Sequence, residues 1–465
     1  MRPVSALSQD GVNHWSPYQS SDTNPWNLRR VVHLHRRTGF AATWDEIQRD
    51  LQSGPRMALD RVLNGTACTI GVPDDFESMA RLIGDAAVAS NKSARLKAWW
   101  LYRMLFSPDP LTERLALMWH NHFATSNSKV QDIAAMRRQN EIFREFGRAP
   151  FGELFPRVVK DPALLVWLDA QANRKEHPNE NLAREIMELF TLGVGNYAEA
   201  DVKSAARALT GYTVKDGIFH TDDPSHDEGD KEIFGQTGQW GGDDLLRMLL
   251  EHKSTSKRLA FRICELLMGE GVVTADALDE LATGLRERNL DIGWGVETVL
   301  RSAEFFSEQN IGTRLLSPVE FVIGAVRALE MFDPPPSTLI LSEWTANLGQ
   351  DLFYPPNVFG WLGGRSWITS RSVIGRTNFV DSLVKGSLRN PASPVDGLAL
   401  MNKSASARNL TDTIEFFSKL VLGQPATAVL IDYTMRNLRA QPVIDHDTVR
   451  HVIVTLLLAP EAQLG

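Results

Sequence analysis

Apolar residues recur three and four positions apart along most of the chain, in stretches such as Trp44 to Leu51 and Leu82 to Phe106, and again across 244–330. That spacing places them on one face of a 3.6-residue helix, whereas the two-residue alternation of a half-buried strand is rare. The pattern predicts an all-α fold: a large multi-helix body with little β structure, its helices burying their apolar stripes against one another. At 317–320, SPVE supplies a start signal, with Ser317 as N-cap, Pro318 in the first turn and Glu320 to complete a capping box.

Three stretches depart from this rhythm. Residues 216–243 are rich in Gly, Asp and Pro and read as a loop with room for a short hairpin. Residues 331–376 combine Pro, Gly and Trp, and rigid aromatics between breakers predict an ordered loop packed onto the body. Residues 386–408 (GSLRNPASPVDGLALMNKSASAR) have linker composition. The expected organisation is a polar arm at 1–26, a main helical domain at 27–380, a linker at 381–408, and a C-terminal helical segment at 409–465 packed on the main body.

Composition narrows the function classes. A chain of 465 residues that is 43% hydrophobic, with 12 Trp and 21 Phe, can build a sizeable core. Its net charge of -8 and the lack of a basic stripe argue against nucleic acid as a partner. No apolar run approaches the roughly 18 residues of a membrane span. The first 26 residues lack the apolar core of a secretory signal, so a cytoplasmic location is expected, or an exported one if the N-terminus is incomplete. The two cysteines, Cys68 and Cys264, allow at most one bridge and no Cys-ligated zinc site. There is no Walker A motif, dinucleotide fingerprint, GxSxG elbow or HExxH.

The densest histidine cluster is MWHNHFATS at 118–126. It ends a helix that SPDP can cap at Ser107 or Asp109. On that helix His122 shares a stripe with Leu111, Leu115, Met118 and Trp119, while His120 faces about the opposite side. Two imidazoles at i and i+2 converge on one ion only if the helix ends or unwinds near Asn121, which ATSNS permits. His122 fits either a metal ligand or a core histidine donating to a backbone carbonyl. His120 fits a ligand or a solvated or hydrogen-bonded side chain.

The second cluster, PNENLAREIMELFTLGVGNY at 178–197, pairs an apolar stripe of Leu182, Ile186, Leu189 and Phe190 with a polar side of Asn181, Arg184, Glu185 and Glu188. Two carboxylates, a guanidinium and an amide on one side could hold a divalent ion and orient a ligand, or simply form helix-surface ion pairs. The helix is expected to stop at Gly193 or Gly195 and a further helix to run over 198–212, carrying Asp201 and Arg207. The following loop offers His220, Asp222, Asp223, His226 and Asp227, donors suited to zinc, manganese or iron, in a segment whose turns also favour Asp without any metal.

Ordered blocks spanning nearly the whole chain, HLHRRTGF (33–40), ERLALMWHNHFATS (113–126), NENLAREIMELFTLGVGNYAEADVKSAARALTGY (179–212), HDEGDKEIFG (226–235), VLRSAEFF (299–306) and LGQDLFYPPNVFGWLGGRSWITSRSVIGRTNF (348–379), resemble the bacterial domain-of-unknown-function family numbered 1800. His35 and Ala41 stand where the family pattern usually has Leu and Gly. The resemblance implies a mostly helical bacterial protein, often encoded beside a sulfatase-like protein, and brings no catalytic residue with it. Two readings follow. In the first, a divalent-metal-dependent hydrolase, His120, His122, Glu188, His226 and Asp227 hold a zinc, manganese or iron ion. Glu185, Arg184 and Arg207 are then catalytic and Asn181 binds substrate. In the second, the chain is a non-catalytic helical scaffold or partner of the sulfatase-like protein, with the Trp-rich loop at 353–367 as contact surface.

Overall fold

The computed structural model describes residues 13–404, 409–438 and 444–465. The first twelve residues of the polar arm and the last four of the linker stretch lie outside them. Among the described residues there are 22 α-helices and only two small sheets, so the chain is mostly α. None of these helices is long and apolar enough to cross a membrane.

Several helices start at side chains that cap them. Ser317 and Glu320 form the reciprocal capping box that opens Pro318–Ala328. Asp109 caps Pro110–His122, its carboxylate accepting the Thr112 N–H at 3.1 Å. Asp161 does the same for Pro162–Trp167, accepting the Leu164 N–H at 3.1 Å. Each such cap stabilises its helix by about 1 kcal/mol.

Packing then joins the helices into one apolar core. Pro110–His122 is enclosed along most of its length, with Trp119, Leu115 and Ala116 no more than 1% exposed. A fully buried leucine or phenylalanine contributes about 1.5–3 kcal/mol, so this helix is anchored by side chains on every face. That enclosure takes in His120, which is 1% exposed, so of the solvated and hydrogen-bonded alternatives it is the hydrogen-bonded one that the structure shows.

The ends of the described chain are fastened to this body. Trp15 Nε1 donates to the Ala277 carbonyl at 2.9 Å, and the Tyr18 N–H to Arg301 at 2.8 Å. Helix Ser370–Lys385 runs through residue 381, and helices Gly397–Met401 and Leu410–Leu422 pack against His446–Leu457. Cys68 and Cys264 are both free and buried, so no bridge forms.

Two local differences from the sequence reading have clear causes. The helix expected over 198–212 ends at Ala208, and Tyr212–Lys215 instead pairs antiparallel with Ile218–Thr221. Gly211 makes the turn at φ +87°, where a Cβ would sit 2.7 Å from the Asp222 carbonyl oxygen. A second hairpin pairs Lys231–Ile233 with Gln236–Gly238. The helix of the second polar cluster is divided: Asn181–Glu185 is α, and Ile186–Thr191 is a π turn. Its apolar stripe, Leu182, Ile186, Leu189 and Phe190, is buried as expected.

Candidate functional site

The helix ending in MWHNHF and the aromatic loop hold each other in place. His120 Nε2 accepts the Phe353 N–H at 3.3 Å, between the rings of Trp100, Phe353 and Trp361. Burial lowers its pKa to about 3, so the ring is neutral and that nitrogen is an acceptor. Asn127 completes the hold: its N–H donates to the Phe353 carbonyl at 2.8 Å and its amide to the Tyr354 hydroxyl at 2.9 Å. Phe353 is thereby kept at φ +65°, a conformation that a bulky residue adopts only when its surroundings impose it.

Asn121, between the two histidines, is the second clamp. Its Oδ1 accepts the Trp361 N–H at 2.7 Å and its Nδ2 donates to the Trp361 carbonyl at 3.2 Å. The preceding Gly360 has φ +73°, and a Cβ there would lie 2.2 Å from Asn121 Oδ1. Only glycine permits this approach. His122 points elsewhere: its Nε2 lies 3.1 Å from the Phe190 carbonyl oxygen, and its Nδ1 has no partner among the described residues. Burial, then Arg262 and Arg258, hold it neutral. It is therefore a core histidine donating to a backbone carbonyl in the π turn.

The remaining residues singled out in the sequence find their partners locally. Asn181 Nδ2 donates to the Leu168 carbonyl at 3.2 Å. Arg184 pairs with Glu180 and Glu199 at 2.9 and 2.8 Å on the surface. Glu188 accepts the Tyr197 hydroxyl at 2.5 Å. Glu185 is half-buried, and burial followed by the Glu188 charge pushes its carboxyl up to about 7. Arg207 grips Asp227 through two nitrogens, at 2.6 and 3.1 Å. His226 Nδ1 lies 2.8 Å from the Thr210 carbonyl oxygen.

The structure thus brings Glu185 to Glu188 and Arg207 to Asp227. It does not bring the imidazoles of His120, His122 and His226 to those carboxylates. Among the described residues no group of three His, Cys, Asp or Glu side chains is arranged to hold a metal ion. The geometric reason is visible at the first cluster. The helix continues through His122 rather than unwinding at Asn121, so the two rings stay on different sides.

A cleft lies beside the clamped loop. Arg114, Leu117, Met118 and Asn121, at i, i+3, i+4 and i+7, form one wall. Helix Lys253–Leu267 forms another, and the loop from Trp361 to Trp367 a third, enclosing about 590 Å³. This size suits a small organic ligand.

The buried charges of the cleft lie on the Arg114 side. Glu320, 1% exposed, accepts Arg114 Nη1 at 2.5 Å and is also bonded by Arg314, while its other oxygen accepts the Ser317 N–H at 2.7 Å. Burial raises the Glu320 pKa, but the two guanidiniums outweigh it and the carboxyl falls to about 2. Burial lowers Arg114 to about 10, so it stays charged at neutral pH. Its Nε and Nη2 have no hydrogen-bonding partner among the described residues, and neither has Arg314 Nε. Sequence reading passed over Arg114 and credited Glu320 only with its capping role. The available signal was an arginine between Leu111 and Leu115 on a helix otherwise apolar on that side.

A family model described as "Protein of unknown function (DUF1800)" covers residues 33–464. No curated protein and no solved structure matches the chain.

Proposed function

Since the chain belongs to the DUF1800 family, whose description assigns no activity, we propose on physical grounds that it is a small-molecule-binding protein working through the cleft between helix Pro110–His122 and the aromatic loop. One observation carries this reading. His120 and Asn121 of MWHNHF are spent on fixing the loop that walls the cleft, and the opposite helix supplies Phe261, Leu266 and Cys264 as its apolar lining. Rigid walls of this kind reduce the ordering cost of binding.

The test uses benzyl alcohol and indole as probes in ligand-observed NMR with the whole chain. Leu266 is partly buried in the cleft wall, so Leu266→Trp fills the space with little disturbance of the core. Saturation transfer to the probes is expected in the wild type and lost in the variant. Probes that do not bind, or that bind both proteins equally, refute the reading.

A hydrolytic reading draws on a separate observation, the Glu185 carboxyl held near 7 beside Glu188. A carboxyl still protonated near neutrality is suited to donate a proton to a leaving group. None of the cleft-lining residues comes from that helix, so the two readings concern different faces of the molecule.

A further inference from the structure

We propose that the ligand of the cleft carries an anionic group, a carboxylate or a phosphate, which seats on the guanidiniums of Arg114 and Arg314. The proposal rests on the cleft being the binding site and adds the chemistry of what it binds.

The first argument is charge balance. Arg36, Arg37, Arg114, Arg314 and Arg376 act electrostatically on one another or on the Glu320 carboxylate. Arg37, Arg114 and Arg376 are at most 3% exposed. Arg37 and Arg376 spend donors on backbone carbonyls, at Asn310 and Leu316. A carbonyl accepts a hydrogen bond but does not cancel a charge. The two other arginines of the cleft rim are already offset, Arg262 by Glu265 and Arg365 by Glu270. The uncompensated positive field is therefore local to the Glu320 end.

The second argument is donor geometry. Arg114 is 2% exposed and lines the cleft with two nitrogens unpartnered. A guanidinium presents its donors in a fixed planar fork, which matches the paired oxygens of a carboxylate or phosphate. Arg314 approaches the same Glu320 oxygen, so both cations are held beside one point of the wall. Glu320 orients them and, being engaged at both oxygens, is a positioning residue.

The third argument concerns the rest of the ligand. Away from this end the lining combines Met118, Phe261, Leu266 and the rings of Trp361 and Trp367 with the mutually paired Arg262–Glu265 and Arg365–Glu270. A ligand that satisfies both parts has an anionic end and an apolar or ring-bearing body. A simple inorganic anion would leave the aromatic part of the wall in contact with water.

The experiment compares phenyl phosphate, benzoate and benzyl alcohol by calorimetric titration of the whole chain at low ionic strength. At least one anionic probe is expected to bind about tenfold or more tightly than benzyl alcohol. The better of the two identifies the head group. Arg114→Gln is expected to remove that advantage. Because Arg114 is buried, Arg314→Gln provides the second variant: it leaves the Arg114–Glu320 pair in place and is expected to cut the advantage several-fold. Equal affinity for neutral and anionic probes overturns the proposal and leaves the cleft reading intact. An anionic preference that Arg314→Gln leaves undiminished also overturns it, since the anion then binds elsewhere. Failure of all three probes to bind, or binding indifferent to Leu266→Trp, refutes both.

Discussion

Asp161 is expected to make the folded protein less stable as pH rises from 4 to 7. It is 2% exposed; its Oδ2 accepts the Leu164 N–H at 3.1 Å and the Gln139 amide at 2.8 Å, while its Oδ1 and the Gln139 Oε1 have no partner among the described residues. Burial pushes its pKa from 3.8 up to about 7 against the opposing effect of those hydrogen bonds. Above pH 4 the unfolded chain releases this proton and the folded chain keeps it, so the contribution is complete below pH 4 and lost once pH passes 7. Three pH units at about 1.4 kcal/mol each make the whole effect about 4 kcal/mol, of which about 3 kcal/mol falls between pH 5 and 8. Asp161→Asn keeps an acceptor for Leu164 and places a permanent N–H where the proton was. Urea unfolding followed by tryptophan fluorescence at pH 5 and pH 8 measures the difference directly. The variant should gain on the wild type by up to about 3 kcal/mol between the two conditions. A constant offset at both pH values would mean that Asp161 is ionised in the folded protein and the reasoning fails.

Two further outcomes follow from the site. Asn121→Ala removes both hydrogen bonds to Trp361 and should lower local stability of the loop by about 2 kcal/mol, read as faster hydrogen exchange of the Trp361 amide with protection of the Leu115 amide unchanged. The Glu185 carboxyl should titrate near pH 7 by carbon-detected NMR. In Glu188→Gln its midpoint should fall, because one of the two causes of the rise is then gone, and an unmoved midpoint would assign the rise to burial alone.

Local features of the fold were legible because short-range chemistry sets them. Ser317 with Glu320 and Asp109 before Pro110 announce helix starts with side chains that cap their own first turn. The order of the aromatic loop was likewise readable from its rigid rings. Long-range partners were not. The sequence left His120 as a ligand or a solvated or hydrogen-bonded side chain because Phe353, which donates to it, is 233 positions away. Glu320 met its own capping requirement in the sequence, so nothing local hinted that it also faces Arg114. The π turn at Ile186–Thr191 was hidden for another reason: the same apolar spacing suits an α-helix, and the choice is made by what packs beside it.

That turn has a consequence for how the segment can change. A π turn accommodates one residue more than regular helix does, and its carbonyls look for donors outside the helix. Arg258 donates to Leu189 at 3.1 Å, and the His122 ring to Phe190 at 3.1 Å. Deleting a single residue such as Met187 would restore ordinary winding with the flanking side chains still in phase. The carbonyls would turn back to donors within the helix. The loss would fall on Arg258 and His122, whose donors would be left without the acceptors that the turn now gives them.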